Sequence, residues 1–391
     1  MQEDNLLSLS YGNIIRRDAT SNDGLLPESF ETYQIVYPGD VVFRLTDLQN
    51  DKRSLRTAMA LEKGIITSAY LAVTPRCVLP SFLSYLLRFY DLTKVFYSMG
   101  GGLRQSMKYD DVKRLPILVP SYDEQVAIAT FLDRETAKID TLIAEQEKLL
   151  ALLAEKRQAT ISHAVTRGLD PDAPMKDSVI PWLGEVPAHW LIGGLTKFIG
   201  PVVDYRGRTP TKGDEGMFLV TAKNVRDGAI DYAASEEYVD PAEAITLLSR
   251  GHPEVGDVLF TTEAPLGQVA QIDRTDIALA QRIVKFRGLD GVLGNRFLMY
   301  WLMGSACRSR LETLATGSTA LGIKASKLGM IECLVPPVIE QEKIVEHIDQ
   351  QLDQFAALQS EAARGIYLLR ERRSALISAA VTGKIDVRET T

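Results

Sequence analysis

No stretch of the 391-residue chain approaches the ~18–20 consecutive apolar residues needed to cross a bilayer, so a membrane-spanning helix is not expected. Cysteine is scarce. Cys77, Cys307 and Cys333 are odd in number and show no CxxC spacing, which argues against a disulfide framework or a metal site and for a reduced, cytoplasmic setting. The four histidines are scattered singly, so the other common metal ligand is not clustered either. The amino-terminal MQEDNLLSLS carries acids where a secretory signal carries bases, and no signal peptide is expected. Catalytic signatures are missing as well. VTGK at Val381–Lys384 lacks the leading glycine and the following hydroxyl of a phosphate-binding loop. There is no NPPY-like or DPPY-like tetrapeptide, no glycine-rich strand-to-helix turn, no GxSxG, no HExxH and no acid–acid–lysine grouping suited to a nuclease. An enzyme is not expected. Positive charge is short too: 44 Lys and Arg stand against 51 Asp and Glu, a formal net charge of -7. The deficit is uneven, since residues 40–120 hold 12 bases against 7 acids and residues 183–338 hold 16 against 18. An acidic chain can still turn a basic face to phosphates.

What is present is a duplication. Shifted by 216 residues, Gly101–Thr166 falls on Gly317–Thr382 without a gap, with 21 of 66 positions identical. Val119-Pro120 meets Val335-Pro336, Glu124-Gln125 meets Glu340-Gln341, Asp133 meets Asp349, and Lys108 meets Lys324. Glu155, Arg157, Ala159, Ile161 and Ser162 recur as Glu371, Arg373, Ala375, Ile377 and Ser378. Upstream, PGDVVF (Pro38–Phe43) resembles VGDVLF (Val255–Phe260) at an offset of 217. The chain is two copies of one unit.

Each copy ends in a helical pattern. Apolar residues at Ile128, Leu132, Ile139, Leu142, Leu149 and Leu153 follow heptad spacing, and Ile344, Ile348, Phe355, Leu358, Leu369 and Leu376 keep the same phase. Pro120 and Pro336 stop each helix from running back, and Gly168 and Gly383 sit just past its end. The duplicated heptads favour helix-on-helix packing over burial in each helix's own domain. Glu124-Gln125 and Glu340-Gln341 open the helices; they read as N-terminal capping, with contact to a partner as the alternative. Residues 1–122 and 183–338 mix short β-rich runs (VVFRLT, ITSAYLAV, GDVLFTT, ALAQRIVKF) with turns and one amphipathic helix each, Ser81–Ser98 and Asn295–Ala315. The expected layout is a first module over 1–122, a long helix over 123–168, a linker over 169–182, a second module over 183–338, a second long helix over 339–382 and a tail over 383–391. The class is α+β: two α/β modules separated by two long antiparallel coiled-coil helices, in a pseudo-twofold repeat. Two dissimilar modules held apart would suit the two halves of an asymmetric DNA site, and equally any bivalent protein-binding scaffold.

The order of module, V-P-x3-E-Q, heptad helix, A-V-T ending, second module and second helix resembles the type I restriction–modification specificity subunits. IPWLGEVPAHW (Ile180–Trp190), RGRTP through FLVTAKNVRDGAID (Arg206–Asp231) and GGGLRQSMKYDDVKRLPILVP (Gly100–Pro120) are similar to the entry and exit of that family's target-recognition domains. The resemblance covers nearly the whole chain. It implies two target-recognition domains that each read half of a bipartite double-stranded DNA target. It also implies two modification (methyltransferase) subunits that carry S-adenosylmethionine, and restriction subunits that join them, with no cofactor on this chain. One departure stands out: a counterpart of IPWLGEVPAHW is missing before the first module. A late start, a truncated or silent cassette, or a module without its opening strands would each account for this, and the last leaves a strand edge unpaired.

Base reading needs Arg, Lys, Asn, Gln, Ser or Thr at loops and helix ends, whereas phosphate contact needs mainly Lys and Arg. In the first module the candidates are Lys52, Arg53, Arg56, Arg104, Gln105, Lys108, Lys113 and Arg114. The glycines Gly100–Gly102 either let backbone approach phosphate or simply turn the chain. In the second module the candidates are Tyr205, Arg206, Arg208, Lys212, Lys223, Asn224, Ser318, Thr319, Lys324 and Lys327, with Arg226, Arg282 and Lys285 beside strands. The competing role for each is a solvated surface side chain.

Overall fold

A computed structural model describes residues 5–17, 30–46, 55–99, 107–206, 209–317 and 321–390. By contacts the chain divides into two units, Met1–Lys148 with Ala362–Thr391, and Leu149–Glu361. The division therefore runs through both long helices instead of following the module boundaries set by sequence.

In the first unit, Val41–Phe43 pairs with Thr57–Met59 on one side and Leu71–Val73 on the other, all antiparallel. Leu7–Ser10 forms a hairpin with Asn13–Arg16, and Gln34–Val36 pairs with Gly64–Ile66. The helix Pro80–Leu92 buries Leu83 and Leu87 against Val41, Phe43 and Phe96. It ends at Thr93, and a second short helix, Val95–Met99, follows Lys94 at φ 63, so the expected single helix is two.

The second unit holds two four-stranded sheets. One is antiparallel in the order Val203–Asp204, Ile283–Phe286, Val258–Thr261, Val269–Gln271. The other runs Lys212–Gly213, Tyr238–Val239, Met217–Val220, Ile277–Leu279, the last pair being parallel. Helix Asn295–Met303 is buried from Phe297 to Met303 and stops at Gly304, whose extended backbone starts a new helix, Ser305–Leu314. The sequence pattern over Asn295–Ala315 had read as one helix because both pieces carry apolar residues at helical spacing. The stretch 169–182 is also more than a linker, since its Met175–Asp177 pairs with Glu185–Pro187.

The repeated GD pair makes the same turn twice. Asp40 accepts the Tyr37 N–H at 2.8 Å, and Asp257 accepts the Glu254 N–H at 3.1 Å. The preceding Gly39 and Gly256 have φ of 94 and 91, a region open to glycine at little cost.

The long helices span Tyr122–Arg167 and Val338–Val381. Within the first unit they run antiparallel: Ile128 and Leu132 share a core with Ile377 and Val381, and Arg373 meets Asp140 at 2.9 Å while Arg370 meets Glu147 at 3.1 Å. Within the second unit Ile161 and Val165 share a core with Ile344 and Ile348, and the Lys156 ammonium lies 5.6 Å over the Phe355 ring. Ile128, Leu132, Ile139, Leu153, Ile344, Ile348 and Phe355 are buried as expected, and Leu369 and Leu376 are half-buried. Leu142, Leu149 and Leu358 are not in the seam, being 50, 38 and 50% exposed. The buried line steps by four from Ile139 to Ile143 and then to Gln146 and Leu150, all half-buried. Leucine at a neighbouring position misled the sequence reading, because apolarity alone does not distinguish adjacent phases of a 3.5-residue repeat.

Each module helix is fastened to the start of a long helix in the same way. Gln125, 2% exposed, accepts the Leu79 N–H at the head of Pro80–Leu92 at 2.8 Å and donates to the Pro120 carbonyl at 2.9 Å. Gln341, also 2% exposed, accepts the Gly294 N–H at the head of Asn295–Met303 at 2.8 Å and donates to the Val292 and Pro336 carbonyls at 2.8 Å. Tyr85 donates to Asp133 at 2.7 Å, and Tyr300 donates to Asp349. Only Glu124 behaves as a cap, its carboxylate taking the Ser121 hydroxyl at 2.9 Å. The glutamines are clamps.

Cys77 is exposed, whereas Cys307 and Cys333 are buried. Burial pushes the Cys307 thiol up to about 12 and raises Cys333 as well, so neither presents a reactive thiolate near neutral pH. A colorimetric thiol reagent should therefore titrate one group quickly in the native protein and all three after denaturation. Three fast thiols under native conditions would contradict this burial.

Candidate nucleic-acid interface

The first module's candidates are only partly described. Lys52, Arg53, Arg104 and Gln105 lie outside the described residues, as does the triplet Gly100–Gly102. Arg56 is not at the surface: it is fully buried, donates to the Thr46 carbonyl at 3.0 Å and stacks 5.8 Å from the Tyr97 ring centre. Its place in a β-rich core outweighs the basic run from which it was read. Lys108 and Arg114 are exposed. Lys108 immediately precedes the helix Tyr109–Val112, and Lys324 precedes Ala325–Leu328, so the repeat gives both lysines the same exposed station.

In the second unit Arg208, Ser318 and Thr319 lie outside the described residues. Tyr205 is a core residue, 2% exposed, and donates to the Gly251 carbonyl at 2.6 Å; burial pushes its phenol well above the usual tyrosine range. Asn224 is fully buried, accepting from Thr221 N–H at 2.9 Å and donating to the Asp231 and Ser235 carbonyls, so it organises a turn and does not face solvent. Arg206 is pinned to Asp204 at 2.6 Å, and that hydrogen bond holds the Asp204 carboxyl below its ordinary range. Lys285 is buried in an ion pair with Asp257, and Lys327 donates to the Leu314 carbonyl at 2.8 Å. These side chains hold the scaffold.

Lys212 and Lys223 remain exposed, and the structure brings them together. Both reach Glu237, at 2.6 and 3.9 Å. They border a trough of adjoining depressions lined by Pro210, Ala222, Arg226, Ala264, Pro265, Gln268, Gln281, Arg282 and Arg308. Its far end meets the long helices at Arg157 and Gln359. An Asp227-Gly228 hairpin turn, with φ 52 and 92, forms part of the wall, and Arg157 ties it down by donating to the Asp227 carbonyl at 2.9 Å. Arg282 is paired with Glu263 at 3.0 Å. Arg308, at the start of Ser305–Leu314, and Gln268 have no side-chain hydrogen bond or ion pair among the described residues. An unengaged guanidinium and an unengaged amide in one trough are suited to guanine and adenine edges respectively. Bases and acids nearly balance along this trough, so hydrogen bonding and not bulk charge is its asset. Sequence reading missed Arg308 and Gln268. The signal was Gly304, which ends one helix and exposes the next.

Residues 231–363 match the family model of the type I restriction modification DNA specificity domain. The chain is 24% identical over 328 residues to the type I restriction enzyme MjaX specificity subunit of Methanocaldococcus jannaschii, covering 79% of this chain and 69% of that one. It is 22% identical over 285 residues to the type I restriction enzyme EcoKI specificity subunit of Escherichia coli K12, covering 70% and 58%. Its fold is similar, at TM-score 0.69 and 18% identity, to a chain from a solved type I R-M system, over 90% of this chain and 84% of that one. It is similar at TM-score 0.50 and 18% identity to the HsdS subunit of Thermoanaerobacter tengcongensis, over 92% and 84%. Residues 231–363 thus resemble a DNA specificity domain, and the wider chain is similar to named specificity subunits of type I systems. No helix among the described residues is long and apolar enough to cross a membrane.

Proposed function

We propose that this protein is a DNA-recognition subunit of the type I specificity class, that it reads a bipartite DNA target, one half with each module, and that its long helices set the spacer between the halves. The same helices are the platform for two modification subunits, which bring S-adenosylmethionine, and restriction subunits join that assembly. The duplicated fastening carries the reading: Gln125 and Gln341 clamp two module helices alike, while the loops around them differ. Common fastening with unlike readers suits an asymmetric two-part sequence.

Selection from a random duplex library, with the modification subunits present, tests this. A consensus of two specified blocks around unspecified bases supports it. Enrichment of one uninterrupted block, or none at any salt, would refute it and favour a protein-binding scaffold. Lys108→Ala and Lys324→Ala should each weaken binding to all duplexes and lower the salt slope by about 1, as loss of one phosphate contact does. A change of base preference at unaltered general affinity would remove the lysines from that role.

A further inference from the structure

The trough in the second unit has a ridge at its centre. Strands Val258–Thr261 and Val269–Gln271 are joined by a turn whose tip, Ala264 and Pro265, is exposed. Ala264 and Pro265 border the depression that holds Gln268 and Arg308. Ala264 also borders the one with Lys212 and Lys223, and Pro265 the one with Arg226. Hydrogen-bonding side chains therefore surround a crest whose own side chains offer a methyl and a pyrrolidine ring.

The crest is held from below. Thr261, fully buried, donates its N–H to the Gln268 carbonyl at 2.9 Å and takes the Gln268 N–H on its hydroxyl at 2.9 Å. The same hydroxyl donates to the Pro265 carbonyl, and the Gly267 N–H returns to the Thr261 carbonyl at 2.9 Å. Glu263 is paired with Arg282, and Leu266 packs on the core. Backbone geometry marks the same place. Six described residues other than glycine have positive φ, and three of them, Asp227, Ala264 and Arg282, line this trough. At φ 46 a glycine would sit in place of Ala264 without strain, so the methyl is kept against the preference of the backbone. Residues held in such conformations gather at sites that contact ligands.

We propose that the Ala264–Pro265 crest reads the 5-methyl group of a thymine in the second module's half of the target. This role rests on the proposed DNA reading by the trough and adds a determinant to it. In the major groove each base pair shows hydrogen-bonding groups, and the thymine methyl is the one apolar mark among them. Arg308 and Gln268 suit the hydrogen-bonding groups, and a rigid apolar crest between polar neighbours suits the methyl. Cytosine in that position would bring an amino donor to side chains that accept nothing, which sharpens the choice. A proline wedged between base steps in the minor groove is the other use of such a crest, and it would be indifferent to a major-groove methyl.

Uracil lacks only this methyl, so it keeps the pairing and every hydrogen-bonding group of thymine. Duplexes of the selected sequence, with uracil replacing each thymine in turn, are titrated with the full chain and its modification subunits. At one thymine the replacement should weaken binding about fourfold, equivalent to about 0.8 kcal/mol for one buried carbon. Ala264→Gly should erase that penalty, binding both duplexes as the parent protein binds the uracil one, which also shows that the variant is folded. Uracil tolerated at every position, a selected sequence without thymine, or penalties that all survive Ala264→Gly undiminished would each overturn the proposal. In those three cases a selected two-part sequence would leave the DNA reading standing, whereas no selected sequence at all would remove both.

Discussion

Asp257→Ala is expected to lower the stability of the second unit by about 3–5 kcal/mol, the range for removing one partner of a buried ion pair. The carboxylate is fully buried and receives Lys285 Nζ at 2.6 Å, Arg287 Nε at 2.6 Å and the Glu254 N–H at 3.1 Å. Without it the Lys285 ammonium, 8% exposed at the side chain, keeps only the His252 carbonyl at 2.8 Å. The urea midpoint of unfolding measures this, and an unshifted midpoint would contradict the account. Acidity should act through the same group. Burial pushes the Asp257 carboxyl up, but hydrogen bonds from Arg287 and Lys285 outweigh burial and hold it below the ordinary range. A depressed folded value gives a contribution that is complete above about pH 4 and fades as pH falls through the folded value. Asp257→Asn should therefore flatten the acid limb of the stability profile.

The second large effect concerns reading. Arg308→Ala or Gln268→Ala should cost about 1–3 kcal/mol on the preferred duplex and relax base preference in one half of the target only. Affinity for random duplex should barely change, because neither side chain is assigned to phosphate. Lys223→Ala, at the exposed rim, should weaken all duplexes alike. Parallel selections on the three variants separate these outcomes. Equal losses on preferred and random DNA would take Arg308 and Gln268 out of base reading.

The repeat, both long helices and the family resemblance were legible because they depend on periodicity and identity, which survive in one sequence. The exact seam was not, since Leu142 and Ile143 are equally apolar and only packing places one outside. The site was less legible than the fold. Arg56, Tyr205 and Asn224 have residue types suited to DNA, but burial and hydrogen bonding commit them to the interior. Arg308 and Gln268, distant in sequence from the basic clusters, become neighbours only through the turn at Gly267 and the helix break at Gly304. Glu124-Gln125 shows the same limit: capping chemistry predicted the glutamate's role, while the glutamine's partner lies 46 residues upstream.

The charge pairs between the long helices in the first unit act as a detent. Asp140–Arg373 and Glu147–Arg370 lie about two turns apart on one strut. Slippage by a single turn, about 5.4 Å, would break both at once. The half-buried Gln146 offers less grease than leucine would for intermediate positions. Within the first unit the paired helices therefore have one preferred register.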